Sequence, residues 1–411
     1  MSLTTPAEAL ALILEAAEPL PVERVPLAEA LGRAAAEDLV ATEPVPPFTN
    51  AAMDGYALRA ADTTEAAEER PVRLTVSGVL SAGASTTPAV APGTAWRIFT
   101  GAPIPPGADA VVPQEKVTRD GDTLVLAHPV KAGGDIRLAG EDLTQGEVAV
   151  ARGTALRPGE IGVLASLGFG AVAVHRRARV AVLTTGNELV EAGTPLGPGR
   201  IRDANLPALC AQLAEMGAVA LPFPRIPDRP EAVAEALRAA TAQADLILTT
   251  GGVSVGDHDP VKPALEALGA DTVFWRVAQK PGAPLGLWRL DGRPVLGLPG
   301  NPVAALLMAE LYARPALRQM MGFRHRFRPQ GTAGLVDGWR RGRPDGRVHF
   351  LRVRLAEGPD GLRATLTGPQ GSGVLSSLMR ADALAWIEAE QPDVTPGGAV
   401  RVILTGQSED H

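Results

Sequence analysis

The sequence has very little cysteine, little lysine and no long apolar run, and these shortages exclude whole classes of protein. Cys210 is the only cysteine in 411 residues, which excludes a disulfide framework and a metal cluster held by several thiolates. The longest uncharged apolar stretches, 161–174 and 294–309, are short and interrupted by glycine or proline, so they predict no membrane span. The amino terminus carries glutamates where a signal peptide would have a basic stretch. Acidic residues outnumber basic ones by 46 to 39, and this net charge of −7 does not favour nucleic acid or an anionic membrane as a partner. We therefore expect a cytoplasmic protein.

A chain of this length is expected to fold as several domains. Thr5, Pro6 and Glu8 form the signature of a capped helix, and a second helical pattern covers 27–39. A β-rich stretch with many turns follows, and helical character returns near 158–167. The pattern predicts a helical domain at 1–43 and 138–176, with a β domain inserted at 44–137.

Residues 177–326 alternate strand and helix patterns, which predicts an α/β domain with a mostly parallel sheet. Apolar runs at 180–183 and 246–248 are uninterrupted, as expected for strands covered on both faces, and each run is followed by Thr-Thr-Gly. A long helix is expected from 302 to 321. The last part of the chain, 327–411, is again β-rich.

Ligands of an open parallel sheet bind beyond the carboxyl ends of its strands. Glycine-rich segments follow several predicted strands there, and their backbone N–H groups can approach an oxyanion closely. Together they favour a phosphorylated or oxyanionic ligand, and the segments are 184–188, 249–259, 279–282 and 298–302.

Carboxylates stand on the same predicted edge, and they would repel such a ligand unless a divalent cation such as Mg²⁺ bridged them. Glu188 is the carboxylate that no helix follows directly. Asp228 and Asp259 each precede a helix, so a capping role and a functional role both remain open for them. Lys280 draws notice because the chain has only four lysines and this one lies in Lys-Pro-Gly.

At this point the chain resembles the molybdopterin molybdotransferase family, that is, MoeA and the C-terminal domain of gephyrin. The resemblance rests on motifs that span nearly the whole chain in the family's order. They are Ala52-Met-Asp-Gly-Tyr-Ala57, Arg97-Ile-Phe-Thr-Gly-Ala-Pro103, Gly107-Ala-Asp-Ala-Val111, Gly140-Glu-Asp142, Thr185-Gly-Asn-Glu-Leu189, Thr250-Gly-Gly-Val-Ser-Val-Gly256 with Asp259, Lys280-Pro-Gly282, Gly297-Leu-Pro-Gly-Asn-Pro302 and Gly371-Ser-Gly373.

The resemblance implies a multidomain α/β fold. A molybdopterin-binding α/β domain would be joined by an elongated helical domain, the inserted β domain and a C-terminal β-barrel-like domain. It implies a homodimer whose active cleft lies between the α/β domain and domains of the partner. The implied reaction inserts molybdate into adenylylated molybdopterin with release of AMP and depends on Mg²⁺. Partners would include the molybdopterin adenylyltransferase and the enzymes that receive the cofactor.

The resemblance also implies the site residues. Glu188, Asp228 and Asp259 would handle metal and substrate, Lys280 would bind phosphate or molybdate, and Asp54, Thr100 and Asp142 would act from the facing domains. The implied substrate-binding residues are Thr185, Gly186, Gly251, Gly252, Ser254, Pro299, Gly300, Asn301, Pro302, Arg352 and Ser372.

The sequence departs from the family pattern in places. Ala283 stands where many relatives have a second lysine, Arg276 where they often have lysine, and Thr49 and Ala51 where they have Asp and Ser. Two other functions compete with the implied one. They are adenylylation of molybdopterin on the same α/β domain and a gephyrin-like scaffold role.

Overall fold

The computed structural model describes residues 3–251, 260–342, 345–391 and 393–406. It divides into a large unit, made of Met1–Glu37, Arg152–Arg157 and Val172–His411, and a small unit, made of Asp38–Ala151 and Pro158–Ala171. Within the described residues, no helix has the length and apolar character needed to cross a lipid bilayer.

The helices are few and short. The α-helices are α1 (Pro6–Glu15), α2 (Pro158–Ser166), α3 (Asn205–Glu215), α4 (Pro230–Thr241), α5 (Val261–Ala267), α6 (Pro302–Met308), α7 (Arg314–Met320) and α8 (Ser376–Met379). A π turn, Ala309–Ala313, joins α6 to α7. The 3₁₀ turns are Leu27–Glu29, Ala60–Thr63 and Gln114–Lys116.

The strands account for most of the regular structure. In chain order they are β1 (Val22–Pro26), β2 (Leu39–Val40), β3 (Asn50–Ala51), β4 (Gly55–Leu58), β5 (Val72–Leu80), β6 (Thr94–Ile98), β7 (Ala110–Pro113), β8 (Thr118–Asp120), β9 (Thr123–Leu126), β10 (Ile136–Arg137), β11 (Val148–Val150), β12 (Ala171–His175), β13 (Arg179–Thr184), β14 (Leu189–Val190), β15 (Ile201–Arg202), β16 (Val219–Pro222), β17 (Leu246–Thr250), β18 (Asp271–Trp275), β19 (Gln279–Lys280), β20 (Gly286–Leu290), β21 (Arg293–Leu298), β22 (Gln330–Leu335), β23 (Trp339–Arg340), β24 (Val348–Gly358), β25 (Gly361–Leu366), β26 (Ala383–Ile387), β27 (Asp393–Val394) and β28 (Gly398–Leu404).

The large unit is built on a central sheet with the order β16-β13-β17-β21-β20-β18. The first four strands are parallel, and β20 runs antiparallel to both of its neighbours. Strand β18 therefore runs in the same direction as β21. The prediction of a mostly parallel sheet is confirmed, and the carboxyl ends of β13, β17, β21 and β18 lie at one edge.

Alternate residues of the central strands are buried in two different clusters. Val180 and Val182 pack with residues of α1, α3, α6 and α7, whereas Ala181 and Leu183 pack with residues of α4 and α5. Both faces of the sheet are thus covered, which explains why its strands are uninterrupted apolar runs rather than alternating ones.

A second sheet of the large unit closes on itself as a barrel. Its order is β24-β25-β22-β28-β26, and β24 pairs with both β25 and β26. The short strand β19 adds to this sheet in parallel with the start of β24. The expected C-terminal β-barrel-like fold is confirmed.

The small unit contains a six-stranded sheet with the order β7-β4-β6-β5-β9-β8. All four residues of β4 are buried, because β4 lies between β6 and β7. Gly55 must be glycine, since a Cβ there would lie 2.0 Å from the carbonyl oxygen of Val112.

Two predicted helices can be compared directly. The predicted helix over 27–39 is wrong: only the 3₁₀ turn Leu27–Glu29 forms, because Gly32 adopts a φ of +73° and the chain then continues extended, with Ala34 bridging to Ala155. The predicted helix from 302 to 321 is present as α6, the π turn and α7. The predicted capping box is confirmed, with the Thr5 hydroxyl accepting from the N–H of Glu8 at 3.2 Å.

Candidate active site at the carboxyl ends of the central sheet

A pocket of about 410 Å³, here called the strand-end pocket, lies at the carboxyl ends of the parallel strands. It brings together the segments that follow β13, β17 and β21, three of the four predicted glycine-rich segments. Its lining is Thr184, Thr185, Glu188, Leu189, Ile201, Arg202, Asp203, Ala204, Asn205, Thr250, Gly251, Pro284, Pro299, Gly300, Asn301 and Pro302.

Two glycines allow the strand ends to approach each other closely. Gly251 has a φ of +83°, and a Cβ there would lie 2.6 Å from the carbonyl oxygen of Thr185. A Cβ on Gly300 would lie 3.3 Å from the Cα of Gly251. The Thr250 hydroxyl completes the junction by donating to the carbonyl of Pro299 at 3.0 Å. The strand ends therefore meet with little side chain between them, because neither Gly251 nor Gly300 has a Cβ.

Asp203 and Asn205 are part of this pocket and were missed by sequence reasoning. Asp203 accepts from the Thr184 hydroxyl at 2.7 Å and from the N–H groups of Asn205 and Leu206 at 3.0 Å each. Asn205 donates to the Thr250 hydroxyl and to the carbonyl of Gly300, both at 2.8 Å. Asp and Asn directly before a helical pattern are a capping signal that could have drawn attention to them.

Two predicted carboxylates, Glu188 and Asp228, belong to neighbouring segments. Glu188 is exposed and folds back over the buried Gly186, where a Cβ would lie 2.9 Å from Glu188 Oε2. Asp228 accepts from the backbone N–H of Asn187 at 2.7 Å, and it makes no capping hydrogen bond to α4. Its position beside Asn187 brings it to the Glu188 segment, so the capping alternative does not describe it. Asp259, Gly252 and Ser254 lie outside the described residues.

These carboxylates suit a magnesium ion in part. Among the described residues, no group of three His, Cys, Asp or Glu side chains is arranged to hold a metal ion. Mg²⁺ is, however, commonly bound by one or two carboxylates together with the phosphates of a substrate. Glu188 and Asp228 offer that donor set.

Lys280 lies on β19 and not in the lining of the pocket. Its side chain is exposed, and its strand pairs with Val348 and His349 of β24. Pro284, four residues after Lys280, is part of the pocket lining. Arg276, between β18 and β19, has a φ of +73°, a backbone conformation that non-glycine residues rarely adopt.

Arg352 is fully buried, so it acts through the loop beside it. Its guanidinium donates to the carbonyls of Pro369, Gln370 and Gly371 at 3.1 to 3.3 Å. Burial lowers its pKa to about 10. The loop that it holds places the carbonyl of Ser372 at 3.3 Å from the N–H of Val303, in the first turn of α6. The structure thus ties Arg352 to the loop that precedes Ser372.

In the small unit, Asp54 and Thr100 form one hydrogen-bonded pair. One oxygen of Asp54 accepts from the Thr100 hydroxyl at 2.6 Å and from its backbone N–H at 2.8 Å. These bonds, aided by the charge of Arg97, lower the pKa of Asp54. Asp142 is also in this unit, with an exposed side chain and its N–H bonded to the carbonyl of Val45.

Three family descriptions match successive parts of this chain. They are the MoeA N-terminal region (domains I and II) at residues 4–168, the probable molybdopterin binding domain at 181–319 and the MoeA C-terminal region (domain IV) at 340–405. Molybdopterin molybdenumtransferase 2 of Mycobacterium tuberculosis is 37% identical over 385 residues, which cover 92% of this chain and 94% of the relative. The chain belongs to the MoeA family.

Other comparisons extend the MoeA assignment. The molybdopterin molybdenumtransferase of Haemophilus influenzae is 35% identical over 93% of this chain and 94% of its own length. The crystal structure of the molybdopterin biosynthesis MoeA protein from Pyrococcus horikoshii OT3 superposes with a TM-score of 0.83 at 32% identity, covering 98% of this chain and all (100%) of that one. The expected family, fold class and transferase class are confirmed.

Proposed function

We propose that this MoeA-family chain inserts molybdenum from molybdate into adenylylated molybdopterin and releases AMP. The observation that carries the proposal is the strand-end pocket, where the segments after β13, β17 and β21 meet closely at Gly251 and Gly300. Backbone N–H groups of these glycine-rich segments would donate to the oxyanion of the substrate. The pocket lining includes Glu188, and Asp228 is bonded to the adjacent residue Asn187. Lys280 would add a positive charge for phosphate or molybdate.

The single cysteine does not supply sulfur for the metal. Cys210 is half-buried on α3, and burial raises the pKa of its thiol, so the thiolate that binds metals is disfavoured. A molybdopterin substrate carries its own dithiolene sulfurs. The protein's part in the proposal is to bind and orient the pterin and the anions.

We propose that Glu188 and Asp228 hold the activating Mg²⁺, with Asp259 as a third ligand. When bound, the ion would neutralise charge on the phosphate oxygens. The N–H of Asn187 fixes the Asp228 carboxylate, which leaves its remaining lone pairs for a cation.

We also propose the four-domain division at 1–43 with 138–176, 44–137, 177–326 and 327–411, and a homodimer. In that dimer, Asp54, Thr100 and Asp142 of one copy would serve the strand-end pocket of the other. The molybdopterin adenylyltransferase and cofactor-receiving enzymes are the proposed protein partners, and the cytoplasm is the proposed location.

The reaction is tested by AMP release. Purified protein is loaded with adenylylated molybdopterin, and AMP is measured with and without molybdate and Mg²⁺. We expect release only when molybdate is present, and a loss of about 100-fold in Glu188→Gln and Asp228→Asn. Glu191→Gln, an exposed carboxylate on the same segment, is the matched control and should behave as wild type. Formation of the adenylylated product from molybdopterin and Mg-ATP, with no molybdate requirement, would instead identify an adenylyltransferase.

The homodimer is tested by mixing inactive variants. Lys280→Ala and Asp142→Asn would each abolish activity alone. If the site uses residues of two copies, mixed dimers contain one intact site, so co-refolded mixtures should regain about a quarter of wild-type activity. A mixture that stays inactive would contradict the shared site.

A further inference from the structure

Gln279, directly before Lys280, has a side chain with no solvent exposure and a complete set of partners. Its amide nitrogen donates to the carbonyl of Gly282 at 3.0 Å and to the sulfur of Met308 at 2.8 Å. Its amide oxygen accepts from the hydroxyl of Tyr312 at 2.5 Å. The Gln279 side chain thus joins Gly282, two residues after Lys280, to Met308 of α6 and Tyr312 of the π turn.

Tyr312 reaches Gln279 because of the π turn Ala309–Ala313. The extra residue in this turn changes which side chains face the loop, and π turns within helices frequently occur at functional sites. Tyr312 is 2% exposed, and burial raises the pKa of its phenol well above the usual range. The hydroxyl therefore stays protonated and acts as a hydrogen-bond donor.

The backbone on both sides of Lys280 is fixed as well. Gln279 and Lys280 pair with Val348 and His349 of β24. Gly282 has a φ of +92°, and a Cβ there would lie 2.4 Å from the sulfur of Met308. The lysine is exposed, yet the residues before and after it are locked into the core.

The Lys280 ammonium has no carboxylate partner within ion-pair distance among the described side chains. Lys280 is close enough to His349 to contribute to lowering the pKa of His349, after the larger effects of burial and of the Arg341 charge. A rigid backbone on both sides of Lys280 suits a side chain whose ammonium must meet an anionic ligand at a fixed place.

We propose that Gln279 and Tyr312 are positioning residues that hold the Lys280 ammonium where it binds the oxyanion of the substrate. The inference rests on the proposed function, because that function supplies the anion. The competing interpretation is a buried hydrogen bond that contributes stability alone, and the experiment separates the two.

The test uses the scarcity of lysine. Wild type and Tyr312→Phe are acetylated with acetic anhydride, with and without molybdate, and the labelling rate of each lysine is measured by mass spectrometry. We expect molybdate to protect Lys280 in the wild type by about tenfold and to protect it much less in Tyr312→Phe. Lys116, Lys131 and Lys262 are internal references whose rates should not change. Equal protection of Lys280 in both proteins would overturn the proposal.

Kinetics provide the second readout. In Tyr312→Phe and Gln279→Leu, the KM for molybdate in AMP release should rise about tenfold with a smaller change in kcat. Gln279→Glu keeps the acceptor for Tyr312 and should recover part of the loss. Gln319→Leu is the control: Gln319 on α7 also donates to two backbone carbonyls, those of Leu14 and Ala17, so its loss should lower Tm without moving this KM.

The two proposals fail differently. If AMP release is independent of molybdate while Lys280 protection still depends on Tyr312, the positioning role stands and the proposed function falls. If AMP release depends on molybdate but Tyr312→Phe changes neither protection nor KM, the positioning role falls alone.

Discussion

At the scale of single residues, small side chains and hydrogen-bond donors determine the site. Gly251 permits an approach that any Cβ would block, and Thr100 supplies both donors to one oxygen of Asp54. The close approach depends on the Cβ that Gly251 lacks, and the bonding of Asp54 depends on the hydroxyl of Thr100. Substitutions at these positions therefore test the site directly.

Thr100→Val should raise the pKa of Asp54 toward its ordinary value. The variant removes the hydroxyl donor, which is the largest cause of the lowered pKa, and leaves the backbone N–H bond in place. The measurement is an NMR titration of labelled aspartate carboxyls. Thr94→Val is the control, because the Thr94 hydroxyl donates to the backbone carbonyl of Ala91 and not to a carboxylate. A pKa of Asp54 that stays at its wild-type value would show that the hydroxyl has no such effect.

Gly251→Ala should lower both stability and activity. The variant combines a φ of +83° with a Cβ placed 2.6 Å from a carbonyl oxygen, and we expect a loss of more than about 1 kcal/mol in the free energy of unfolding. Gly292→Ala shares the positive φ, at +76°, but has nothing within 4 Å of the new Cβ. Comparing the free energies of unfolding of both variants in urea separates the steric clash with the Thr185 carbonyl from the strain of a positive φ. Equal losses would mean that the close approach is not important.

At the scale of elements, the barrel strand β24 presents two arginines with opposite surroundings. Arg352 is buried and bonded to the 369–371 loop, whereas Arg354, two residues along, is exposed. The alternation of a strand places residues of this spacing on the same face in principle, so the difference arises from what covers that face locally. The loop beside Arg352 is that cover.

Arg352→Leu should destabilise the large unit by about 2–4 kcal/mol, because the carbonyls of the 369–371 loop lose the buried guanidinium that donates to them. Arg354→Leu on the same strand should change the free energy of unfolding by less than about 0.5 kcal/mol. Denaturant unfolding measures both, and hydrogen exchange should show faster opening at 369–373 in the first variant alone. A similar cost for both arginines would contradict the role of Arg352 in holding the 369–371 loop.

At the scale of the whole molecule, acid stability depends on carboxylates of the large unit that accept hydrogen bonds from basic side chains. Burial alone would raise the pKa of Asp245, but hydrogen bonds from Arg176 and from the N–H of Arg179, with the charges of Arg176 and Arg293, lower it. Asp345 behaves similarly: against burial, His349 and Arg341 lower its pKa to about 2. Both groups bind protons more weakly in the folded state than in the unfolded chain.

Because the folded pKa of Asp245 is lowered, its contribution to stability is complete above about pH 4, near the pKa of an unfolded aspartate, and is lost as pH falls through the folded pKa. Asp245→Asn should therefore flatten the acid side of the curve of stability against pH, with its largest cost at neutral pH. Urea unfolding between pH 2 and 7 measures this. Asp271→Asn, an exposed aspartate, is the control. An unchanged acid slope would show that the Arg176 contact does not stabilise the fold.

The sequence alone predicted much of this protein, and the reason is local. Uninterrupted apolar runs identified β13 and β17, and the Thr5–Glu8 capping box identified α1. Motifs that follow one another in the family's order identified the family. Each of these signals is carried by residues that are neighbours in the chain. The prediction over 27–39 failed because the pairing of Ala34 with Ala155 is distant in sequence.

Only the tertiary structure decided which side chains work together. It placed Asp203 and Asn205 in the lining of the strand-end pocket, bonded Asp228 to Asn187 rather than to α4, and bonded the buried Arg352 to the loop before Ser372. It also placed Tyr312 against Gln279, 33 residues away, through a π turn that no pattern announced. Hydrogen-bond partners distant in the chain are set by how strands and helices pack, and a single sequence contains the residues of such a pair but not their distance.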